Sequence, residues 1–271
     1  FINLKSIGKK LNKKQKKKSL TDILNKSTIL CLTAYTVPIA KVADKYADII
    51  LVGDSVGPVL YGLDSTREVN LEMMIRHATA VVKNTNNAFI VVDMPFNSYE
   101  KSKKEALKNA KKILTLSGAN AVKLEGGEKQ FETIKYLTEN HIKVMGHLGM
   151  LPQSNIGKPK VYGKKESEKV QIFKDIDLLK KAGVFSVVIE CTVKSLVDDL
   201  INHTELPLIG IGASSRCNGQ IIVTEDILGM TEFNSKFSKK YFDFFKSSEE
   251  SLKSFSDDVR SKKYPNKKQC Y

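Results

Sequence analysis

Tryptophan is absent from this 271-residue chain, proline and cysteine are sparse at 7 and 4 residues, and arginine is nearly missing. Of its 44 basic residues only Arg67, Arg76, Arg216 and Arg260 are arginines. Base readers favour the bidentate guanidinium fork, so a net charge of +14 carried by scattered lysines argues against a nucleic-acid partner and for a lysine-rich coding bias. No stretch approaches the ~18 consecutive apolar residues of a membrane span. The longest bursts, Ile49–Val52 and Ala88–Val92, have strand length. Cys31, Cys191, Cys217 and Cys270 form no C-x-x-C pair and no regular framework, which points to buried small residues in a reducing, cytoplasmic setting. Eight lysines fall in the first 18 residues without a following apolar run, so no secretory signal is expected and residues 1–18 read as a flexible segment.

What is present is an alternation. At 41% hydrophobic the chain can bury a large core. Eight short aliphatic runs are predicted as strands: Thr28–Thr33, Asp48–Val52, Ala88–Val92, Ala121–Leu124, Lys143–Gly146, Val184–Ile189, Leu208–Ile211 and Gln220–Val223. Between most of them lie helical stretches, Ile39–Tyr46, Leu71–Lys83, Lys103–Ser117, Phe131–Glu139, Glu168–Lys181 and Ser195–Asn202. Runs that are apolar throughout suit a parallel sheet covered on both faces. Eight such units predict an α/β (β/α)8 TIM barrel over residues 19–230, with a doubly wound sheet as the competitor. No G-x-G-x-x-G follows the first strand, which lowers a dinucleotide-binding version. Residues 231–271, with Phe233, Phe237, Tyr241, Phe242, Phe244 and Phe245, read as an apolar helical tail docked on the barrel or on another subunit.

Polar residues gather where the predicted strands end: Asp54-Ser55, Asp93, Lys123-Leu124-Glu125, His147 and Glu190. In a barrel those ends meet at one mouth. Asp54, Asp93 and Glu125 supply oxygen ligands suited to Mg²⁺ rather than zinc. Each residue also has a plainer role. Asp54 could cap a turn, Lys123 and Glu125 could neutralise one another, and His147 could be satisfied in the core. Glu190 closes the apolar run Val187–Ile189, where burial would raise its pKa toward that of a general base, or where it could pair with a lysine. From these residues the reading is a metal-assisted reaction of a small 2-oxo acid, with a base removing a proton and the ion stabilising the enolate.

The strand-end motifs are recognisable in order: Leu51-Val52-Gly53-Asp54-Ser55-Val56-Gly57, Met74-Ile75-Arg76-His77, Asp93-Met94-Pro95-Phe96 and Val122-Lys123-Leu124-Glu125-Gly126-Gly127, then Gly146-His147-Leu148-Gly149, Pro152-Gln153-Ser154, Glu190-Cys191 and Gly219-Gln220. From about Ser19 to Pro265 the chain resembles the ketopantoate hydroxymethyltransferase family of phosphoenolpyruvate/pyruvate-type barrels. The resemblance implies transfer of a hydroxymethyl group from 5,10-methylenetetrahydrofolate to 3-methyl-2-oxobutanoate, for pantothenate and coenzyme A synthesis. It implies Mg²⁺ at Asp54, Asp93 and Glu125, and an oxo-acid site at Asp54, Ser55, Asp93 and Lys123 with His147 nearby. Glu190 takes the position of the proton acceptor, and the family's habit is a homodecamer. Departures fall in the loop 155–163, shorter than the family's glycine-rich loop, at Asn218 in place of an aspartate, and over Ser214–Cys217. Two rivals remain. One is a Mg²⁺-dependent C–C lyase of the isocitrate-lyase or phosphonate-mutase kind, although no cysteine-bearing loop lies between Gly127 and Leu137. The other is a non-enzymatic, basic nucleic-acid-binding protein on the same fold.

Overall fold

The computed structural model describes residues 19–155, 160–233 and 235–271. The expected flexible segment 1–18 lies outside them, as do residues 156–159 of the altered loop. The chain divides into two compact units, one ending at Ile222 and one spanning Val223–Tyr271.

Eight parallel strands close on themselves in sequence order, as the sequence predicts: β1 (Ile29–Thr33), β2 (Ile49–Val52), β3 (Phe89–Asp93), β4 (Ala121–Lys123), β5 (Val144–Gly149), β6 (Ser186–Glu190), β7 (Leu208–Ile211) and β8 (Gly219–Ile222). A short helix α1 (Leu20–Leu24) precedes them. Six helices make the crossovers: α2 (Val37–Ala43), α3 (Leu71–Val82), α4 (Lys103–Ser117), α5 (Phe131–Glu139), α6 (Glu166–Ala182) and α7 (Lys194–His203). The limits of α4 and α5 are those predicted. Residues Leu71, Met74, Ala78 and Val81 recur at helical spacing in α3, and Asn70 caps it by accepting from the Met73 N–H. Gly118 and Gly183 end α4 and α6 in the left-handed conformation.

Strand periodicity divides the core in two. Ile49 and Leu51, Phe89 and Val91, Met145, Val188 and Ile209 fill the barrel interior. Their neighbours Ile50 and Val52, Ile90 and Val92, Val144, Val187 and Leu208 pack outward against the helices. Ile23 of α1, missed by the sequence reading because five residues are too few for a periodic signal, joins the interior cluster beside Ile29 and Cys31. It closes the end of the barrel where the strands begin.

Two expectations are corrected. Lys143–Gly146 is too short: β5 runs on to Gly149 because Leu148 and Gly149 stay in register with Ile189 and Glu190. Cys31, Cys191 and Cys217 are buried, but Cys270 is exposed.

In the second unit, α8 (Thr224–Ile227) precedes α9 (Phe244–Arg260). Helix α9 buries none of its residues and presents Phe245, Leu252, Phe255 and Val259 along one stripe, with Phe244 beside it. Among the described residues no helix is long and apolar enough to cross a membrane.

Candidate active site

The parity of the barrel interior carries directly into the site. One step of two residues beyond inward Val91, Ala121, Met145 and Val188 stand Asp93, Lys123, His147 and Glu190. The apolar fill of the barrel thus gives way at the strand ends to a polar layer. Asp93 and Lys123 are register partners on β3 and β4, and Lys123 Nζ donates to Asp93 Oδ1 at 2.7 Å with both side chains nearly sealed from solvent. Lys123 therefore neutralises Asp93 rather than Glu125, the pairing the sequence left open. Asp93 Oδ2 accepts from the Asp54 N–H at 3.1 Å, which draws the segment after β2 over the mouth.

Gln153 is the residue that sequence reasoning left without a role. Its Nε2 donates to Asp54 Oδ2 at 2.7 Å and to the Met94 carbonyl at 2.9 Å, while its N–H donates to Glu125 Oε2 at 3.0 Å. Tyr99 Oη, also buried, donates to Gln153 Oε1 at 2.5 Å. One amide thus links the segments after β2, β3, β4 and β5. Its only sequence signal was the Pro152-Gln153-Ser154 motif just after a strand end. Behind Ser55, whose hydroxyl lies 2.7 Å from Tyr35 Oη, the Tyr35 carbonyl meets His77 Nδ1 at 2.8 Å, and His77 Nε2 meets Tyr61 Oη at 2.9 Å. Tyr61 ends a single π-helical turn, Gly57–Tyr61. That arrangement places His77 behind the site, not in it.

His147 Nε2 lies 3.1 Å from Glu190 Oε2, and its Nδ1 lies 3.6 Å from Glu125 Oε1 with no hydrogen-bond partner among the described residues. Burial, with the Lys123 charge nearby, holds the imidazole below its ordinary range, so it is neutral at neutral pH. Glu190 was expected to be sealed by its apolar run; instead its side chain keeps 15% exposure and its partner is His147, not a lysine. The inward parity of β6 turns it to the open mouth while Val187 and Ile189 face the helices. The strongly desolvated carboxyls are others. Burial and the nearby Asp93 charge push Asp54 up to about 7, and burial with Asp54 pushes Glu125 well above the carboxylate range. Burial would lower the Lys123 ammonium, but Asp93, Asp54 and Glu125 together outweigh it and raise it.

Two glycines make this closeness feasible. Gly149 has φ of +88°, and a Cβ there would fall 2.1 Å from the Glu190 carbonyl oxygen. A Cβ on Gly127 would fall 2.2 Å from Asp175 Cγ, so this glycine accommodates α6. The described part of the altered loop returns beside Glu190: the Tyr162 N–H donates to the Cys191 carbonyl at 2.8 Å. Asn218 Oδ1 accepts from the Leu208 N–H at 2.9 Å, a bond an aspartate would also accept. Ser214 Oγ and Arg216 both reach Asp198 of α7.

Among the described residues no three His, Cys, Asp or Glu side chains are arranged to hold a metal ion by themselves. The donor chemistry nevertheless suits a hard cation. Asp54, Asp93 and Glu125 crowd around one buried cation, Lys123, and two of the three are raised by burial and by one another's charge. Mg²⁺ commonly takes one or two carboxylates and keeps its waters, so a closed protein cage is not required.

A closed parallel barrel with an ion pair, two further carboxylates and a His–Glu pair at the C-terminal ends of its strands defines a (β/α)8-barrel enzyme. Sequence comparison makes the class specific. The chain belongs to the ketopantoate hydroxymethyltransferase family, whose pattern matches residues 14–267. It is 45% identical over 247 residues to the 3-methyl-2-oxobutanoate hydroxymethyltransferase of Pelagibacter ubique (strain HTCC1062), covering 91% of this chain and 95% of that one. It is also 45% identical over 240 residues to the enzyme of the same name from Rhizobium etli, covering 88% of each. Among solved structures, 2,3-dimethylmalate lyase, a PEP mutase/isocitrate lyase superfamily member, is similar with a TM-score of 0.58 and 13% identity, over 93% of this chain and 87% of that one. At that identity the likeness to a lyase is one of fold alone.

Proposed function

We propose that this enzyme transfers a hydroxymethyl group from 5,10-methylenetetrahydrofolate to 3-methyl-2-oxobutanoate, giving ketopantoate for pantothenate and coenzyme A synthesis. The observation that carries the reading is the pairing of Glu190 with a neutral His147 across the mouth from the Lys123–Asp93 ion pair. Glu190 is open enough to meet a substrate C–H, and His147 fixes which of its oxygens is free to take the proton. Lys123, Asp54 and Ser55 receive the carboxylate and 2-oxo end of the acid, placing C3 toward Glu190. Loss of the C3 proton to Glu190 leaves a carbanion equivalent. Water cleaves the two C–N bonds of the methylene bridge, its protons passing to N5 and N10 as tetrahydrofolate leaves and its oxygen staying on the formaldehyde-level carbon. C3 adds to that carbon, and the alkoxide formed takes the proton back from Glu190. Asp54, Asp93 and Glu125 would hold Mg²⁺, which withdraws electron density from the 2-oxo group when bound. Those residues set its place and exclude bulk water from one side.

The exposed apolar stripe of α9 supports self-association, for which we propose the homodecamer, with the cytoplasm as the site of action and neither nucleic acid nor membrane as partner. Exchange of the C3 proton of 3-methyl-2-oxobutanoate with deuterated water, followed by NMR in the presence of Mg²⁺, tests the base. Glu190→Gln is expected to slow exchange by about 10²–10⁴-fold while leaving Mg²⁺ affinity unchanged. Exchange at the wild-type rate removes Glu190 from the mechanism.

A further inference from the structure

Beyond the strand ends lies a cavity of about 590 Å³, lined from Glu125 and Gly149, at the site, to Asp175 on α6. Leu148, Leu151 and Ile172 give it apolar walls and Tyr162 an aromatic one. Three carboxylates besides Glu125 reach it, and two are already paired: Glu128 with Lys174 at 2.7 Å and Glu168 with Lys160 at 3.0 Å. Asp175 has no ion pair among the described residues. It accepts from the Glu128 N–H at 2.8 Å and from Gln171 Nε2 at 3.0 Å, both on Oδ1, which leaves Oδ2 to accept from a ligand.

We infer that this cavity receives the pterin ring of the folate co-substrate, with Asp175 Oδ2 accepting from the ring's amino-amide edge. The inference rests on the reaction proposed above. A 2-amino-4-oxo pteridine carries an N3–H and a 2-amino group side by side, and either can donate to the one carboxylate oxygen left free. The flat ring needs apolar and aromatic walls, and the volume is ordinary for a bound cofactor. Burial raises the Asp175 carboxyl, so a donor edge brought against it relieves an unfavourable charge. Glu125 lines the same cavity, and its Oε1 lies 3.6 Å from His147, the partner of Glu190, so a one-carbon unit carried on the ring arrives close to the proposed base.

Asp175→Asn keeps the Oδ1 acceptor that holds the Glu128 N–H and turns the free acceptor into a donor. The expected result is a KM for 5,10-methylenetetrahydrofolate at least tenfold higher. The KM for 3-methyl-2-oxobutanoate and the folate-independent C3 exchange should stay within twofold of wild type. Ser167→Trp, at the exposed rim of the same cavity, is expected to give the same split by filling the space. An unchanged folate KM in both variants, or a fall in exchange as large as the fall in turnover, overturns the pterin subsite. Wild-type protein that performs no C3 exchange overturns the proposed reaction itself, and the subsite with it.

Discussion

A single amide does more to hold the polar layer than any of the charged residues. Gln153 donates three hydrogen bonds and accepts one, joining Asp54, Met94, Glu125 and Tyr99 in a space closed to water. Gln153→Met preserves length and volume but leaves Asp54 without its donor and Tyr99 Oη without its acceptor. Unfolding in urea is expected to show a loss of about 1–3 kcal/mol, with weakened Mg²⁺ dependence of the C3 exchange. Unchanged stability together with an unchanged Mg²⁺ titration would show that the amide is a bystander. The charged residues were legible because carboxylates, a lysine and a histidine at strand ends stand out in any sequence. Gln153 was not, since a neutral residue in a loop announces nothing until four neighbouring segments converge on it. Glu190 was read as sealed, and the structure leaves it 15% exposed at the mouth, because a run of apolar neighbours in a strand says nothing about the face on which the next residue lies.

Among the elements, the barrel strands and the longer helices follow from pattern alone. The apolar runs of β2 and β3 alternate between interior and helix-facing layers, and helices such as α4 carry their apolar residues at helical spacing between a serine cap and a stop glycine. Helix α1 could not be found this way, and its importance lies in packing rather than periodicity. Ile23 is fully buried in the interior cluster at the end of the barrel opposite the site. Ile23→Ala is expected to cost about 2–5 kcal/mol in urea unfolding while leaving kcat/KM unchanged. A variant as stable as wild type would show that α1 is not the closure of the barrel. The end of β5 was underestimated for a related reason: glycine and histidine look like loop residues, yet pairing with β6 holds both Gly149 and His147 in the strand.

For the whole molecule, charge at the mouth links stability to pH and to metal. Asp54 is pushed from 3.8 to about 7 and Glu125 is raised in the same direction, so the folded chain keeps protons that the unfolded chain has released. Metal-free protein is therefore expected to hold this contribution fully below about pH 4 and to lose it as pH rises through about 7, on the order of 4 kcal/mol for Asp54. Asp54→Asn should flatten that decline in urea unfolding measured between pH 4 and 8, and an identical slope in variant and wild type would contradict the assignment. Mg²⁺ should restore wild-type stability at the upper end of the range, where the carboxylates are ionised. The proposed reaction is tested by ketopantoate formation from 3-methyl-2-oxobutanoate and 5,10-methylenetetrahydrofolate, run once with Mg²⁺ and once with EDTA. Product is expected with Mg²⁺ and none with EDTA; folded, Mg²⁺-supplied protein that makes no ketopantoate would contradict the assigned reaction.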